Sequence, residues 1–242
     1  MLPSTLFRKV IYLAFIVELM ILSGWMANFF DGDPGIKPLV ATLLDLSVAL
    51  LIWASAPLFA KYWLAPPELV DQNVQRLVSV QARAAGCTVP VHVIKSSEPY
   101  AGTLGITEFT SQIYVTTGLV QQLSPVALLF VLAHEATHAA EQHILTLFAF
   151  VSCSVFISLI VGQWWFFSFA MLAFLMFRRY LEFRADRGAA QAIGIDAALI
   201  GLQQLEAISP TKKLERYIAW ALPYPTLKMR HRAVQSKVVS LI

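Results

Sequence analysis

Two histidines four residues apart, with a glutamate directly after the first, occur once in this chain, as His134-Glu135-Ala136-Thr137-His138. On a helix, residues four apart project from one face, one turn apart. Two imidazoles so placed supply two corners of a tetrahedral zinc site. The carboxylate of Glu135 then lies beside the metal, where it can reach a water there and act as a general base. A pair of polar residues on an ordinary helix face is the bland alternative. It fits poorly, because the flank Leu-Leu-Phe-Val-Leu-Ala is apolar and buried histidines and a carboxylate require partners.

A third ligand is needed, and its identity separates classes of chemistry. A helix-breaking glycine three residues past His138 and a histidine six past it would mark one large protease class. Those positions hold Glu141 and Ile144, so that class is excluded. His143 lies nine residues after His134, half a turn out of phase on a continuous helix, and reads as a supporting or interface group. A better ligand follows in Arg-Arg-Tyr-Leu-Glu-Phe-Arg-Ala-Asp, residues 178–186. Glu182 and Asp186 are four apart and face the same way. Glu182 is expected to bind zinc, and Asp186 to accept a hydrogen bond from a ligand histidine and so fix its tautomer. Zn2+ is the one cofactor expected.

The elements that must position these residues are set by an apolar composition. Of 242 residues 57% are hydrophobic and 14% charged, far from an ordinary soluble domain. The net charge of +3 is spread out, so nucleic acid is not an expected partner. Cys87 lies in a polar part of the chain and Cys153 in an apolar run, which argues against a disulfide between them. Residues 10–30 carry one charge, Glu18, and residues 38–60 carry one, Asp45; each is long enough for a single membrane span. Glu18 together with the length of the first run argues for a retained anchor rather than a cleaved signal. Both acids are expected to be protonated or hydrogen-bonded inside a helix bundle.

Residues 144–177 carry no charge. A single helix of that length would run roughly 50 Å, too long for one span. Gly162-Gln163, followed by Trp164 and Trp165, marks a turn at an interface, so two short helices are expected, Ile144–Val161 and Trp164–Phe177. Two antiparallel spans return the chain to one membrane face, which lets Glu182 meet the two histidines. Arg8, Lys9, Lys61 and the cluster Arg178, Arg179, Arg184 and Arg187 place the N-terminus, residues 61–143 and everything after 178 in the cytoplasm. The expected organisation is two N-terminal transmembrane helices (1–64), a first protease part with the HExxH helix (65–143), the hairpin (144–177), and a second part with the third ligand (178–242).

Between spans and hairpin the pattern predicts a helix over 66–87, strands within 90–96 and 111–118, and a loop over 98–109. A short helix in Leu119–Leu123 follows. A longer one begins at Ser124, with Pro125 at its first position, and runs unbroken through His143. The fold class is thus a mainly α membrane protein of four transmembrane helices, with a cytoplasmic gluzincin-like zinc-protease domain containing a small β-sheet.

The paired motifs, in this order around an apolar hairpin, resemble the HtpX-type membrane zinc proteases, related to the CAAX prenyl endopeptidases. The resemblance covers most of the chain. It implies His134, His138 and Glu182 as zinc ligands, Glu135 as catalytic acid and base, and Asp186 as support. It also implies a C-terminal His-Pro followed five residues later by Arg, where this chain has Tyr224-Pro225 and Arg230. Tyr224 and Arg230 thereby become candidate stabilisers of a developing oxyanion. A second departure is Tyr100-Ala101, where Asn-Ala is usual before the substrate-binding strand.

The function expected is hydrolysis of peptide bonds in misfolded membrane proteins or membrane-proximal cytoplasmic segments. The partners are then polypeptides and the lipid bilayer of the inner (cytoplasmic) membrane. The substrate is expected to lie extended along residues 106–110 or 111–117. A sensor-type protease that cuts a repressor, an inactive metal-binding scaffold and a prenyl-peptide protease are the rival readings. The pattern leaves the oligomeric state open.

Overall fold

A computed structural model describes residues 40, 43, 44, 47, 72–161, 164–208 and 225–235. The element order is α1 (Gln72–Ala84), β1 (Val91–Ile94), β2 (Ala101–Leu104), β3 (Gln112–Thr116), α2 (Thr117–Gln122), α3 (Pro125–Ala140), α4 (His143–Val161), α5 (Trp164–Ile193), α6 (Ile195–Ile208) and α7 (Leu227–Gln235). The molecule is therefore mainly helical with one small mixed sheet.

The three strands lie in the order β1-β3-β2, with β1 parallel and β2 antiparallel to β3. The strand over Ala101–Leu104 corrects the loop expected for 98–109. The run Ala-Gly-Thr-Leu has one β-branched residue, preceded by a glycine, so local propensity is silent. Pairing to β3 makes the strand, with Ala101 opposite Val115 and Thr103 opposite Ile113. The two outer edges of the sheet are treated differently. Gln75 on α1 accepts from Val93 N at 2.9 Å and donates to Val91 O at 2.7 Å, so a side-chain amide covers the β1 edge. Among the described residues no side-chain amide covers the β2 edge in this way, and β2 packs against α3.

α3 is packed on nearly every side, with Leu128, Phe130, Leu132 and Ala133 buried. Its start is as expected: Ser124 Oγ accepts from Ala127 N, and Pro125 occupies the first turn. In addition Gln204 Oε1 of α6 accepts from Ser124 N at 2.9 Å. Its end corrects the unbroken helix to His143. Helical geometry stops at Ala140, Gln142 takes φ +51, and His143 opens α4. No glycine or proline signals this break, because the left-handed residue is a glutamine.

α4 and α5 form an antiparallel pair, with the rings of Phe150 and Phe177 stacked at 5.3 Å. The helix expected to end at Phe177 instead continues to Ile193, so Glu182 and Asp186 ride on the same helix as the apolar run. No helix among the described residues is long and apolar enough to cross a membrane. The first expected span, with Glu18, lies outside the described residues. So does the second, with Asp45, apart from residues 40, 43, 44 and 47.

Two glycines let helices approach α3 closely. A Cβ on Gly188 of α5 would strike Thr137, and one on Gly201 of α6 would lie 2.5 Å from Phe130 Cβ. At an exposed helix position alanine would stabilise by about 1 kcal/mol relative to glycine. Here overpacking dominates, so Gly201→Ala is expected to destabilise by about 1–3 kcal/mol. A thermal melt checks this; an unchanged or raised Tm would contradict the close contact.

Candidate metal centre

The residues of HEATH lie in the last two turns of α3, and α5 crosses α3 beside them at the Gly188–Thr137 contact. The three expected ligands converge there. One ligand atom from each of His134, His138 and Glu182 lies within 4.8 Å of the others. His134 Nε2 and His138 Nε2 are 3.1 Å apart. Glu182 Oε2 is 3.5 Å from His134 Nε2, and its Oε1 is 3.9 Å from His138 Nε2. Ligands bound to zinc at 2.0–2.2 Å in a tetrahedron are separated by about 3.3–3.6 Å. The donor set of two imidazoles and a carboxylate therefore fits a zinc ion in both chemistry and spacing.

The charges around the site favour a cation as well. Burial and Arg230 push His134 down, but the carboxylates of Asp186 and Glu182 outweigh them and raise it to about 9. Burial pushes Glu182 up, yet hydrogen bonding and charge from His134 bring it to about 2. His138 is driven well below the ordinary range by burial and by His134, leaving a neutral ring with a lone pair. Glu135 is raised, chiefly by burial. Two acids against two imidazoles attract positive charge, as a proton on His134 or as a metal ion in its place.

Asp186 lies where a histidine support should lie. Its Oδ1 is 3.0 Å from His134 Nδ1, which leaves Nε2 for the ligand position. The carboxylate is 1% exposed and is gripped by Arg230, whose Nε donates to Oδ2 at 2.8 Å and Nη2 to Oδ1 at 2.6 Å. Burial opposes ionisation of Asp186, but the guanidinium and the His134 hydrogen bond hold its carboxyl at about 2. Arg230 Nη2 also lies 3.2 Å from His134 Nδ1, two donors sharing one carboxylate oxygen. Arg230 lines the cavity beside the histidines, whereas Tyr224 lies outside the described residues.

His143 is brought back toward the site by the turn at Gln142. It is 2% exposed, and its Nδ1 lies 2.7 Å from His138 Nδ1. Burial lowers its pKa, against the raising effect of Glu141. Sequence reasoning missed Thr103. Its hydroxyl on β2, with a single proton, lies 2.8 Å from Glu135 Oε2 and 2.9 Å from the Glu135 carbonyl oxygen. Nothing in Ala-Gly-Thr-Leu marks that threonine. Its role depends on the packing of β2 against α3.

These groups line a cavity of about 820 Å3. One wall is β2 from Ala101 to Leu104, and neither of the two stretches expected to offer a sheet edge, 106–110 and 111–117, does so. The former is a turn and the latter holds β3, paired on both sides. Tyr100 stands at the cavity mouth, 60% exposed, with its hydroxyl over Gly102. A second wall is mostly apolar, from Leu147, Phe148, Val151 and Phe174 on the α4–α5 pair.

Asp186→Asn is expected to weaken metal binding about 10–100-fold. It leaves Arg230 without its anionic partner and removes the preference for an Nδ1 proton on His134. Zinc titration of purified protein against a competing chelator reads this out; affinity equal to wild type would contradict the support role.

The model of peptidase family M48 matches residues 68–238. Protease HtpX of Thioalkalivibrio sulfidiphilus is 24% identical over 234 residues, covering 81% of this chain and 79% of that protein. Protease HtpX of Legionella pneumophila (strain Corby) is 31% identical over 151 residues, 61% of this chain but about half (51%) of that protein. A Protease HtpX homolog of Bacillus subtilis is 26% identical over 226 residues, 76% of each. In fold, the chain is similar to S. mikatae Ste24p, with a TM-score of 0.64 at 17% identity; the match spans 96% of this chain and 65% of that one. With a family model covering well over half its length, this chain belongs to peptidase family M48, and it is a metalloprotease.

Proposed function

We propose that this chain is a zinc-dependent endopeptidase set in a membrane, with His134, His138 and Glu182 as zinc ligands and Glu135 as the catalytic acid and base. The observation that carries this reading is the convergence of His134 Nε2, His138 Nε2 and the Glu182 carboxylate to within 4.8 Å. Zinc, when bound, supplies Lewis acidity toward a water and a peptide carbonyl. The chain's own groups do the rest. Glu135, raised by burial, takes a proton from the attacking water and returns it to the leaving amine. Thr103 holds the Glu135 carboxylate through Oε2, so the base is aimed before substrate arrives. Asp186 and Arg230 hold His134. Arg230 and Tyr224 remain candidates for stabilising the oxyanion, the former from the cavity wall.

Substrate in this reading lies extended along β2, whose main chain offers hydrogen bonds with little sequence preference. The apolar walls from α4 and α5 favour apolar segments, which suits misfolded membrane proteins or membrane-proximal stretches. Exposed Val151, Ile157, Phe169, Leu172 and Met176 on the same helices support a hairpin in lipid, since so much apolar surface is uncommon on a soluble monomer. We place two spans in residues 1–64, protease parts at 65–143 and 178–242, a hairpin at 144–177, and the active site on the cytoplasmic face.

Two substitutions test the chemistry. Glu135→Gln is expected to retain zinc and abolish cleavage of casein or a membrane substrate; persistent cleavage by the purified variant would sink the assignment. Thr103→Val is expected to lower kcat by about tenfold with zinc content unchanged, the equivalent of roughly 1.4 kcal/mol, in the range for one hydrogen bond to a charged group. Thr103→Ser should restore most of the rate, and equal rates for the valine and wild-type enzymes would remove Thr103 from the mechanism.

A further inference from the structure

His134 and His138 are supported in different ways. His134 passes its Nδ1 hydrogen bond directly to a carboxylate, Asp186, pinned by an arginine. Among the described residues His138 meets no carboxylate at Nδ1. It meets His143 Nδ1 at 2.7 Å, with the rings edge-on at 80°. On its far side His143 Nε2 lies 2.9 Å from Glu141 Oε2. Glu141 in turn is held in a fork by Arg184 of α5, Nε to Oε2 at 3.1 Å and Nη2 to Oε1 at 2.8 Å.

We propose that Glu141, fixed by Arg184, is a positioning residue of the metal centre, acting through His143 on His138. The inference rests on the zinc-ligand reading above. If His138 offers Nε2 to the metal, its Nδ1 carries the hydrogen and must donate it. The group in reach is His143 Nδ1, which accepts only if the His143 hydrogen sits on Nε2. Glu141, acceptor-only when ionised, selects that tautomer by taking the Nε2 hydrogen. Every donor in the row then meets an acceptor, from His138 through His143 and Glu141 to Arg184. Without Glu141 the His143 hydrogen is free to move to Nδ1, and two N–H groups would oppose each other across 2.7 Å. His138 would turn away or lose its ligand tautomer.

The left-handed residue Gln142 makes this arrangement possible. Straight continuation of α3 would carry His143 out of phase, whereas the turn swings its ring over His138 and leaves Glu141 between His143 and α5. The Glu141–Arg184 pair is about one-third exposed on both sides, so it adds little to stability. Its consequence is directional.

The test is zinc affinity of the full chain, purified in detergent and titrated against a chelator, with a thermal melt of each metal-free variant to verify folding. His143→Phe preserves ring volume but not the acceptor; His143→Asn preserves the acceptor at the Nδ1 position but not the ring. Positioning predicts zinc binding weaker by about 10–100-fold for His143→Phe and by about tenfold for Glu141→Ala, with His143→Asn within a few-fold of wild type. If packing alone matters the order reverses, with Phe tolerated and Asn impaired, and the proposal is overturned. Wild-type affinity in both His143→Phe and Glu141→Ala overturns it as well, leaving the zinc reading intact. A wild-type chain that bound no zinc would overturn both.

Discussion

An ionised carboxylate with 1% of its surface exposed is costly unless its charge is answered locally, and at Asp186 the answer comes from three helices. Asp186 rides on α5, the His134 hydrogen bond comes from α3, and the Arg230 fork comes from α7. Each group needs the other two. Arg230 would be an unpaired buried cation without Asp186, and His134 would have no acceptor to fix its tautomer. Breaking a buried pair by removing one partner typically costs about 3–5 kcal/mol, so the three helices are held in one relative placement. That placement also brings Glu182, one turn before Asp186, to the two histidine Nε2 atoms.

The same economy of placement explains the sheet. Three short strands are a weak unit alone, and this sheet is stabilised by burying Ile113 and Val115 of β3 against the helices. Its β1 edge is occupied by the Gln75 amide, which leaves β2 as the strand turned toward α3. Thr103 directs its hydroxyl to Glu135 rather than to the sheet, so β2 and α3 are joined at that carboxylate. One wall of the cavity and the placement of the Glu135 carboxylate thus depend on the same four residues of chain.

What could be read from sequence follows the reach of each signal. The spacing His134–His138 and the pair Glu182–Asp186 are helical repeats within one turn, and a period of 3.6 residues leaves no choice of face. The α3 start was legible because Ser124-Pro125 is a local signal. The β2 strand was not, because its cause lies in β3 and α3, distant in sequence. The break after Ala140 was hidden for a related reason. Glutamine tolerates a positive φ only when its surroundings compensate, here through the contacts of Glu141 and His143 on either side. Sequence phase therefore set His143 half a turn from the ligands, and a single backbone residue reversed that.

The hairpin explains why the long apolar run sits between two halves of one site. In the described residues α5 passes without interruption from the apolar segment into the turns carrying Glu182 and Asp186. A rigid helix transmits orientation along its axis, so the packing of α4 on α5 at Phe150 and Phe177 constrains the azimuth of Glu182 barely more than one turn away. α4 in turn begins at His143, whose ring backs His138. Both members of the apolar pair therefore lead into the cluster of His134, His138 and Glu182, one through Glu182 itself and one through His143. Any shear between α4 and α5 would move Glu182 on one side and the ring that contacts His138 on the other. The apolar pair is part of the site's geometry as much as HEATH is, whatever medium surrounds it.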